Sequence, residues 1–359
     1  MHPYRNLPQS SFWTKSVSDV LWNDVFKNHM GKFRISNTEN VCTIGSCFAQ
    51  RISTFLRESG FRFLDVEPVH PMVSTDEAKR LGYGIYSARY GNIYSTRQLK
   101  QLMEESLGVR SQINKFERLK TGKIKDLLRP GVHGDGFETI EEAEADRAYH
   151  LSRVKQMWSQ LDVFIFTLGL TEAWVDTDSN IVYGIHPSVA TSGESRETPE
   201  KINLDYNDCL SDLNSCFHLL RSINKKAKIV LTVSPVGLAA THQDNHVLLA
   251  NCYSKSILRA VAGKLHSMND FIEYFMSYEL ISAAQSFGQF LSTDLRDVNN
   301  RGVILAMSAF KNIFLDENEM QTSLHQNLDT GKDEFSDDKE YDAEVQCDEI
   351  YNSIFRGRV

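Results

Sequence analysis

Residues 41–50 read "VCTIGSCFAQ", and this stretch decides the fold. The apolar run "VCTI" ends at Gly45, and a segment with helical spacing of apolar residues begins directly behind it. Glycine at the end of a buried strand allows a sharp turn into a helix, because it has no side chain to obstruct the turn. The stretch therefore predicts a strand–turn–helix unit that carries Ser46 and Cys47 at the turn.

Three later segments repeat the buried-strand pattern, each as a continuous apolar run with helical spacing beside it. They are "DVFIFTLG" (162–169), "KIVLTVSP" (228–235) and "FIEYFMS" (271–277). Such runs are typical of strands covered on both faces, so the sequence predicts an α/β protein with a parallel sheet between helices. Ligands bind beyond the carboxyl ends of such strands, which puts the loops after Gly45, Gly169 and Pro235 on one edge.

The composition of the 359-residue chain is that of a soluble globular protein, with 41% hydrophobic and 24% charged residues. No apolar run approaches the roughly 18–20 residues of a membrane span, so none is expected. The first 15 residues lack the apolar core of a signal peptide, which favours a cytoplasmic location. The six cysteines are widely spaced and form no CxxC pair, so neither a disulfide framework nor a metal site is expected.

The negative charge is concentrated towards the C-terminal end. Residues 316–359 contain thirteen acidic and four basic residues and so carry −9, against a whole-chain charge of −8. The remaining residues 1–315 are therefore nearly neutral, and no nucleic-acid partner is expected. We predict one domain over 1–315, with a cap or insertion at 61–135 that is rich in glycine, tyrosine and charge. The acidic tail has the composition of a disordered segment.

Ser46 and Cys47 bring two nucleophile-type side chains to the predicted start of a helix. Unpaired N–H groups and the helix dipole favour an anion at such a position, which lowers the pKa of a cysteine there. The backbone N–H of the same residue can contribute to an oxyanion hole. The alternative is that Cys47 is a small buried hydrophobic residue, as free cysteines commonly are.

Six segments resemble the GSCFA domain family, which takes its name from the first of them. They are "GSCFA" (45–49), "GYGIYSARYGNIYSTRQL" (82–99), "FTLGLTEAW" (166–174), "LTVSPV" (231–236), "YSKSILRAVAGKL" (253–265) and "DLRDV" (294–298). The resemblance covers most of residues 1–315 and leaves out the acidic tail. The family looks like a relative of the SGNH/GDSL hydrolases, which implies a flavodoxin-like, three-layer α/β sandwich and acyl-ester chemistry.

The resemblance also implies roles for individual residues. In the superfamily, Gly-Asp-Ser follows the first strand and the serine is the nucleophile. Laid on "GSC", this pattern puts Gly45 at the glycine, Ser46 at the aspartate and Cys47 at the nucleophile, whereas a shift by one residue would select Ser46. The second block, a glycine whose N–H joins the oxyanion hole, resembles Gly91 followed by Asn92. The alternative is a glycine that only serves a turn.

The third and fourth blocks of the superfamily are matched less well. Gly-x-Asn-Asp corresponds to "GLTE", which implies Thr171 as an oxyanion donor and Glu172 as a base or an orienting group. The alternative for Glu172 is a carboxylate at a helix N-terminus. Asp-x-x-His corresponds to "DLRD", which begins at Asp294, so the histidine that serves as general base is missing. No histidine follows before His325.

A substitute for that base must come from elsewhere in the chain. The two candidates are His246, in the loop after "KIVLTVSP" (228–235), and His186, after "GLTEAW". His242, in the same loop as His246, is a weaker candidate. Asn251 and Lys255 lie one turn apart on the next predicted helix, where they either bind an anion or are solvated.

The resemblance and the thiol chemistry together predict an esterase or O-acyltransferase that acts on an ester or thioester. The expected partners are a small-molecule acyl donor and a carbohydrate hydroxyl as acceptor, as in polysaccharide modification. No cofactor is required, although a thiol nucleophile suits exchange with acyl-CoA. The alternative is a module that binds a carbohydrate or acyl ligand and has lost the base.

Overall fold

The computed structural model describes residues 2–315, so the predicted acidic tail lies outside the described residues. The strands are β1 Val41–Ile44, β2 Phe116–Arg118, β3 Ile124–Asp126, β4 Val163–Leu168, β5 Glu172–Asp176, β6 Ile181–Tyr183, β7 Glu200–Asn203, β8 Lys228–Val233 and β9 Ile272–Phe275. The α-helices are α1 Cys47–Glu58, α2 Thr75–Arg80, α3 Thr96–Leu107, α4 Ile140–Gln160, α5 Pro187–Ala190, α6 Tyr206–Ile223, α7 Val247–Met268, α8 Ser277–Ser282 and α9 Asn300–Phe314.

The central sheet is parallel and contains the four strands that the sequence predicts, in the order β1-β4-β8-β9. Phe63 adds a parallel bridge on the outer side of β1, where Val41 N–H donates to Arg62 O and Leu64 N–H donates to Val41 O, each at 2.9 Å. This edge segment follows β1 in the chain and lies on one side of it, whereas β4, β8 and β9 follow in order on the other side. The direction in which successive strands are added to the sheet therefore reverses between β1 and β4. The carboxyl ends of strands at such a reversal form a crevice where ligands commonly bind.

Helices cover both faces of this sheet. In one group of helices, α1 contacts β1 and β4, α8 contacts β8, and α9 packs against both α1 and α8. In the other group, α7 packs against β8 and β9, and α6 packs against α3, α4 and α7. Aromatic rings fill both interfaces: Phe310 lies 5.2 Å from Phe275 on one side, and Trp158 lies 5.6 Å from Phe164 on the other, between ring centroids. The predicted three-layer α/β sandwich is confirmed. Among residues 2–315, no helix combines the length and apolar character needed to cross a membrane.

Two small antiparallel sheets lie outside this sandwich and were not predicted. One has the strand order β6-β5-β7, and the other is the hairpin of β2 and β3. Glu172 is the first residue of β5, so it does not stand at a helix N-terminus. The predicted insertion at 61–135 includes α3, which packs against α4 and α6 of the sandwich. Strands of three to five residues leave a weak periodic pattern, which explains why the sequence did not reveal them.

Gly45 makes the turn from β1 into α1 possible. Its φ of 153° is rare for other residues, and a Cβ here would lie 2.7 Å from Thr167 Cβ and 2.9 Å from Ala49 Cβ. We expect Gly45→Ala to lower the free energy of unfolding by about 2–4 kcal/mol, because the strand ends are packed too closely to admit a methyl group. Urea denaturation measures the effect. Gly134→Ala is the matched control, since its Cβ would meet nothing closer than 3.9 Å, and an equal loss there would contradict the steric explanation.

Candidate active site

A cleft opens at the carboxyl edge of the central sheet, beyond β1, β4 and β8. It encloses about 300 Å³ of empty space, part of it open to solvent. Its lining includes the polar residues Ser46, Cys47, Ser234, Lys255 and Arg296 together with the backbone of Gly169. The loops that the sequence puts on one edge thus meet at a single hollow.

Cys47 differs in its surroundings from the other cysteines of the described chain. It is the first residue of α1, is half-buried and lines the cleft. Burial raises the pKa of Cys42 and of Cys209 to about 12, and it raises the pKa of Cys216 well above the usual value of a thiol. Cys252 is exposed on α7. Among residues 2–315, Cys47 is therefore the one thiol that is both accessible and part of the cleft.

Ser46 occupies the N-cap position of α1, immediately before Cys47. Its side chain makes no capping hydrogen bond, and its backbone oxygen accepts hydrogen bonds from Tyr86 OH at 3.1 Å and from Ala49 N–H at 2.9 Å. The residue is 5% exposed, which is less than Cys47, although both line the cleft. The geometry thus leaves both residues as candidate nucleophiles, with Cys47 the more accessible.

The segment Ile93–Tyr94 joins the ends of β1 and β4. Ile93 N–H donates to Gly45 O at 2.9 Å, and Tyr94 O accepts from Gly169 N–H at 3.1 Å and Leu170 N–H at 3.0 Å. A Cβ on Gly169 would lie 2.8 Å from Tyr94 O, so this close contact requires glycine. The backbone around Cys47 is thereby held on two sides.

Lys255 reaches the cleft from the third turn of α7. It is 2% exposed, and its Nζ donates a hydrogen bond to Gly169 O at 2.6 Å. Lysine is almost never this deeply buried unless its ammonium group is paired, because removing the charge from water is costly. The buried amine of Lys255 therefore lines the same hollow as the half-buried thiol of Cys47.

Arg296 enters the cleft from the loop "DLRD" that precedes α9. Asp294 Oδ1 accepts from the backbone N–H groups of Arg296 and Asp297, each at 3.0 Å, and so shapes the turn. Arg296 Nε donates to Gly237 O at 3.0 Å. Burial raises the pKa of the Asp297 carboxyl above the usual value. Arg296 lines the cleft although it was not predicted as a site residue from the sequence.

A model of the GSCFA family matches residues 40–310 of the chain. The chain belongs to the GSCFA family. The matched range contains every strand of the central sheet and all the cleft residues named above, and the GSCFA motif itself supplies the turn and Cys47. A comparison with curated proteins finds no match.

Two histidines that the sequence proposes as bases for this GSCFA protein cap helices instead of lining the cleft. His246 Nδ1 accepts from Leu248 N–H at 3.2 Å at the start of α7, and His186 Nδ1 accepts from Ser188 N–H at 3.1 Å at the start of α5. Burial lowers the pKa of His186. Neither ring belongs to the lining of the cleft within the described part of the chain.

Glu172 and His242 belong to a cluster of their own. Glu172 accepts from Thr241 Oγ1 at 2.6 Å and from His242 N–H at 3.0 Å, and the His242 ring nitrogen Nε2 lies 3.6 Å from Glu172 Oε2. Trp174 packs against the His242 ring at a centroid distance of 4.9 Å. These contacts hold the loop before α7 against β5, outside the lining of the cleft.

The other predicted site residues Thr171, Gly91, Asn92 and Asn251 do not belong to the lining of the cleft. The Thr171 hydroxyl donates to Asn203 Oδ1 at 2.7 Å, and Thr171 is completely buried. Gly91 and Asn92 line a neighbouring hollow. Asn251 Oδ1 accepts from Leu238 N–H at 3.1 Å and so fixes one wall of the cleft. Within residues 2–315, no group of three or more histidine, cysteine or acidic side chains is arranged to hold a metal ion.

Proposed function

We propose that this GSCFA protein transfers or hydrolyses acyl groups through Cys47. The observation that carries the proposal is that a half-buried thiol at the N-terminus of α1 shares one cleft with the buried amine of Lys255. A helix N-terminus and a neighbouring cation both favour the thiolate form of a cysteine, which is the nucleophilic form. Nucleophile–lysine pairs are a known variant of the serine–histidine arrangement.

The proposed reaction begins with the Cys47 thiolate attacking the carbonyl carbon of an ester or thioester. An S–C bond forms, the carbonyl electron pair moves to oxygen, and the backbone N–H of Cys47 with the Lys255 ammonium stabilises that charge. When the intermediate collapses, the bond to the leaving group breaks, and the leaving oxygen or sulfur takes a proton from Lys255.

The second half of the reaction returns the enzyme to its starting state. The neutral amine of Lys255 takes a proton from an acceptor hydroxyl or a water molecule, whose oxygen attacks the acyl-enzyme. The S–C bond breaks, which restores the Cys47 thiolate and the Lys255 ammonium. Lysine suits this role because a buried amine can change its protonation state, unlike an arginine. Access of water to the cleft then decides between hydrolysis and transfer.

A relationship to the SGNH hydrolases remains part of the proposal. The parallel sheet with its edge segment at Phe63 and the reversal of strand order between β1 and β4 support it, since that order is flavodoxin-like. The relationship suggests a carbohydrate hydroxyl as acceptor, while the thiol chemistry suggests a thioester such as acyl-CoA as donor. No cofactor beyond the donor is invoked, and a cytoplasmic location would provide such a donor.

A binding module for a carbohydrate or acyl ligand is the second candidate function. It is favoured by Asp297, which stands in the place of the superfamily's histidine, and by the lining of the described cleft, which contains no histidine. In such a module Lys255 and Arg296 would bind an anionic group of the ligand without turnover.

Mass spectrometry of the protein after brief exposure to p-nitrophenyl acetate or acetyl-CoA tests the proposal. We expect a single added acetyl group on the peptide that contains Cys47, and we expect slow loss of that group in water. An unmodified protein with every donor, together with saturable binding of the ligand, would favour the binding module. Acetylation confined to Ser46 would assign the nucleophile to the neighbouring residue.

A further inference from the structure

The cleft combines a charged floor with an apolar wall. Cys47, Lys255 and Arg296 supply the polar side, while Leu170, Val236 and Leu238 are the apolar side chains of the lining. Acyl groups have the same division, because a polar carbonyl is attached to a hydrocarbon chain.

The wall continues onto α7. Leu248, Asn251 and Lys255 are spaced three and four residues apart, so they lie on one face of the helix. Asn251 is bonded to the Leu238 backbone and Lys255 lines the cleft, so this face is turned towards it. Leu248 lies seven residues before Lys255, about 10 Å towards the helix N-terminus and away from the sheet. Its side chain is nevertheless 66% exposed.

A second exposed leucine is adjacent in the chain to a residue that lines the cleft. Leu295 precedes Arg296, whose side chain lines the cleft and bonds to the backbone oxygen of Gly237. Leu295 has a φ of 54°, which is uncommon for leucine, and its side chain is 74% exposed. The loop segment Val236–Leu238 after β8 is thus bonded both to Asn251, on the helix face that carries Leu248, and to Arg296, the chain neighbour of Leu295.

We infer that Leu248 and Leu295 form a rim that receives the hydrocarbon chain of a medium-length acyl group, whose carbonyl lies at Cys47. This inference deepens the proposed acyl transfer and depends on it for its biological meaning. The chain would leave the cleft along Val236 and Leu238 and cover the two exposed leucines. Exposed leucines that continue an apolar wall next to a reactive thiol gain free energy when a hydrocarbon covers them. An acetyl group would be too short to reach the rim.

Alkylation of Cys47 by N-alkyl iodoacetamides of increasing chain length tests the rim without requiring turnover. The thiolate displaces iodide in this reaction, and peptide mass spectrometry reports the rate at Cys47, normalised to the rate with glutathione. We expect the N-octyl reagent to react about tenfold faster than the N-ethyl reagent, because each methylene covered by the rim contributes part of its transfer free energy. Equal normalised rates for the two reagents would overturn the inference.

Two variants test whether the rim, and not general hydrophobic attraction, causes the faster reaction of the octyl reagent. In Leu248→Ser/Leu295→Ser, the advantage of the octyl reagent should fall to within about twofold while the N-ethyl rate stays unchanged. Met268→Ser is the matched control, since Met268 is 65% exposed at the opposite end of the same helix, and it should keep the tenfold advantage. A double variant that keeps the advantage, or that loses only binding to phospholipid vesicles, would overturn the inference. Failure of ester turnover alone would contradict the proposed function and leave this readout intact.

Discussion

Cys47→Ala should lower kcat/KM for ester or thioester turnover by about 10⁴-fold or more, because removing a covalent nucleophile removes the entire two-step route. The thiol lies at the first position of α1 and borders the cleft, so alanine there leaves no large void and should preserve the fold. The measurement is steady-state release of p-nitrophenol or free CoA, with the unfolding midpoint recorded for each variant. A retained midpoint would show that the lost activity reflects chemistry.

Two further substitutions test whether Cys47 itself, and not a neighbouring or exposed residue, is the nucleophile. Ser46→Ala should reduce turnover by tenfold or less, because Ser46 is a neighbour of the nucleophile, and its main structural contacts are made by its backbone. Cys252→Ala removes an exposed thiol on α7 and should have no effect. If Ser46→Ala abolished turnover while Cys47→Ala retained it, the nucleophile would be Ser46, and the correspondence with the superfamily's first block would shift by one residue.

The sequence was most informative where the physical signal is local. Continuous apolar runs revealed all four strands of the central sheet, because strands buried on both faces admit few polar residues. Gly45 marked the turn into α1 for an equally local reason, since only a glycine fits between Thr167 and Ala49. The edge on which the cleft lies then followed from the general geometry of parallel sheets.

The residues that line the cleft could not be predicted from local sequence in the same way. Lys255 follows Gly169 by 86 positions, and only the packing of α7 against β8 and β9 brings its Nζ within 2.6 Å of that carbonyl oxygen. Arg296 reaches the cleft because Asp294 shapes its loop and Gly237 accepts its side chain. The sequence could not reveal that the ring of His246, the residue just before α7, caps that helix.

Lys255→Met should reduce kcat by about 10²–10⁴-fold, because the variant keeps the apolar stem and loses the group proposed to carry the proton. The loss of the hydrogen bond to Gly169 O also leaves a buried carbonyl unsatisfied, which costs about 1–3 kcal/mol of stability. Turnover must therefore be measured well below the unfolding midpoint of the variant. Lys264→Met, which removes an exposed lysine from the same helix, is the matched control and should be unaffected.

Rescue by an added amine distinguishes a chemical role of Lys255 from a purely structural one. If Lys255 moves protons, methylamine should restore the turnover of Lys255→Ala at least tenfold and should not rescue Cys47→Ala. Lys255→Arg should remain slow although it keeps the positive charge, since arginine does not give up its proton. If instead His246→Ala abolished turnover while Lys255→Met retained it, the base would be the histidine. His246 would then have to leave its capping position during the reaction, because its Nδ1 accepts from Leu248 N–H at 3.2 Å in this structure.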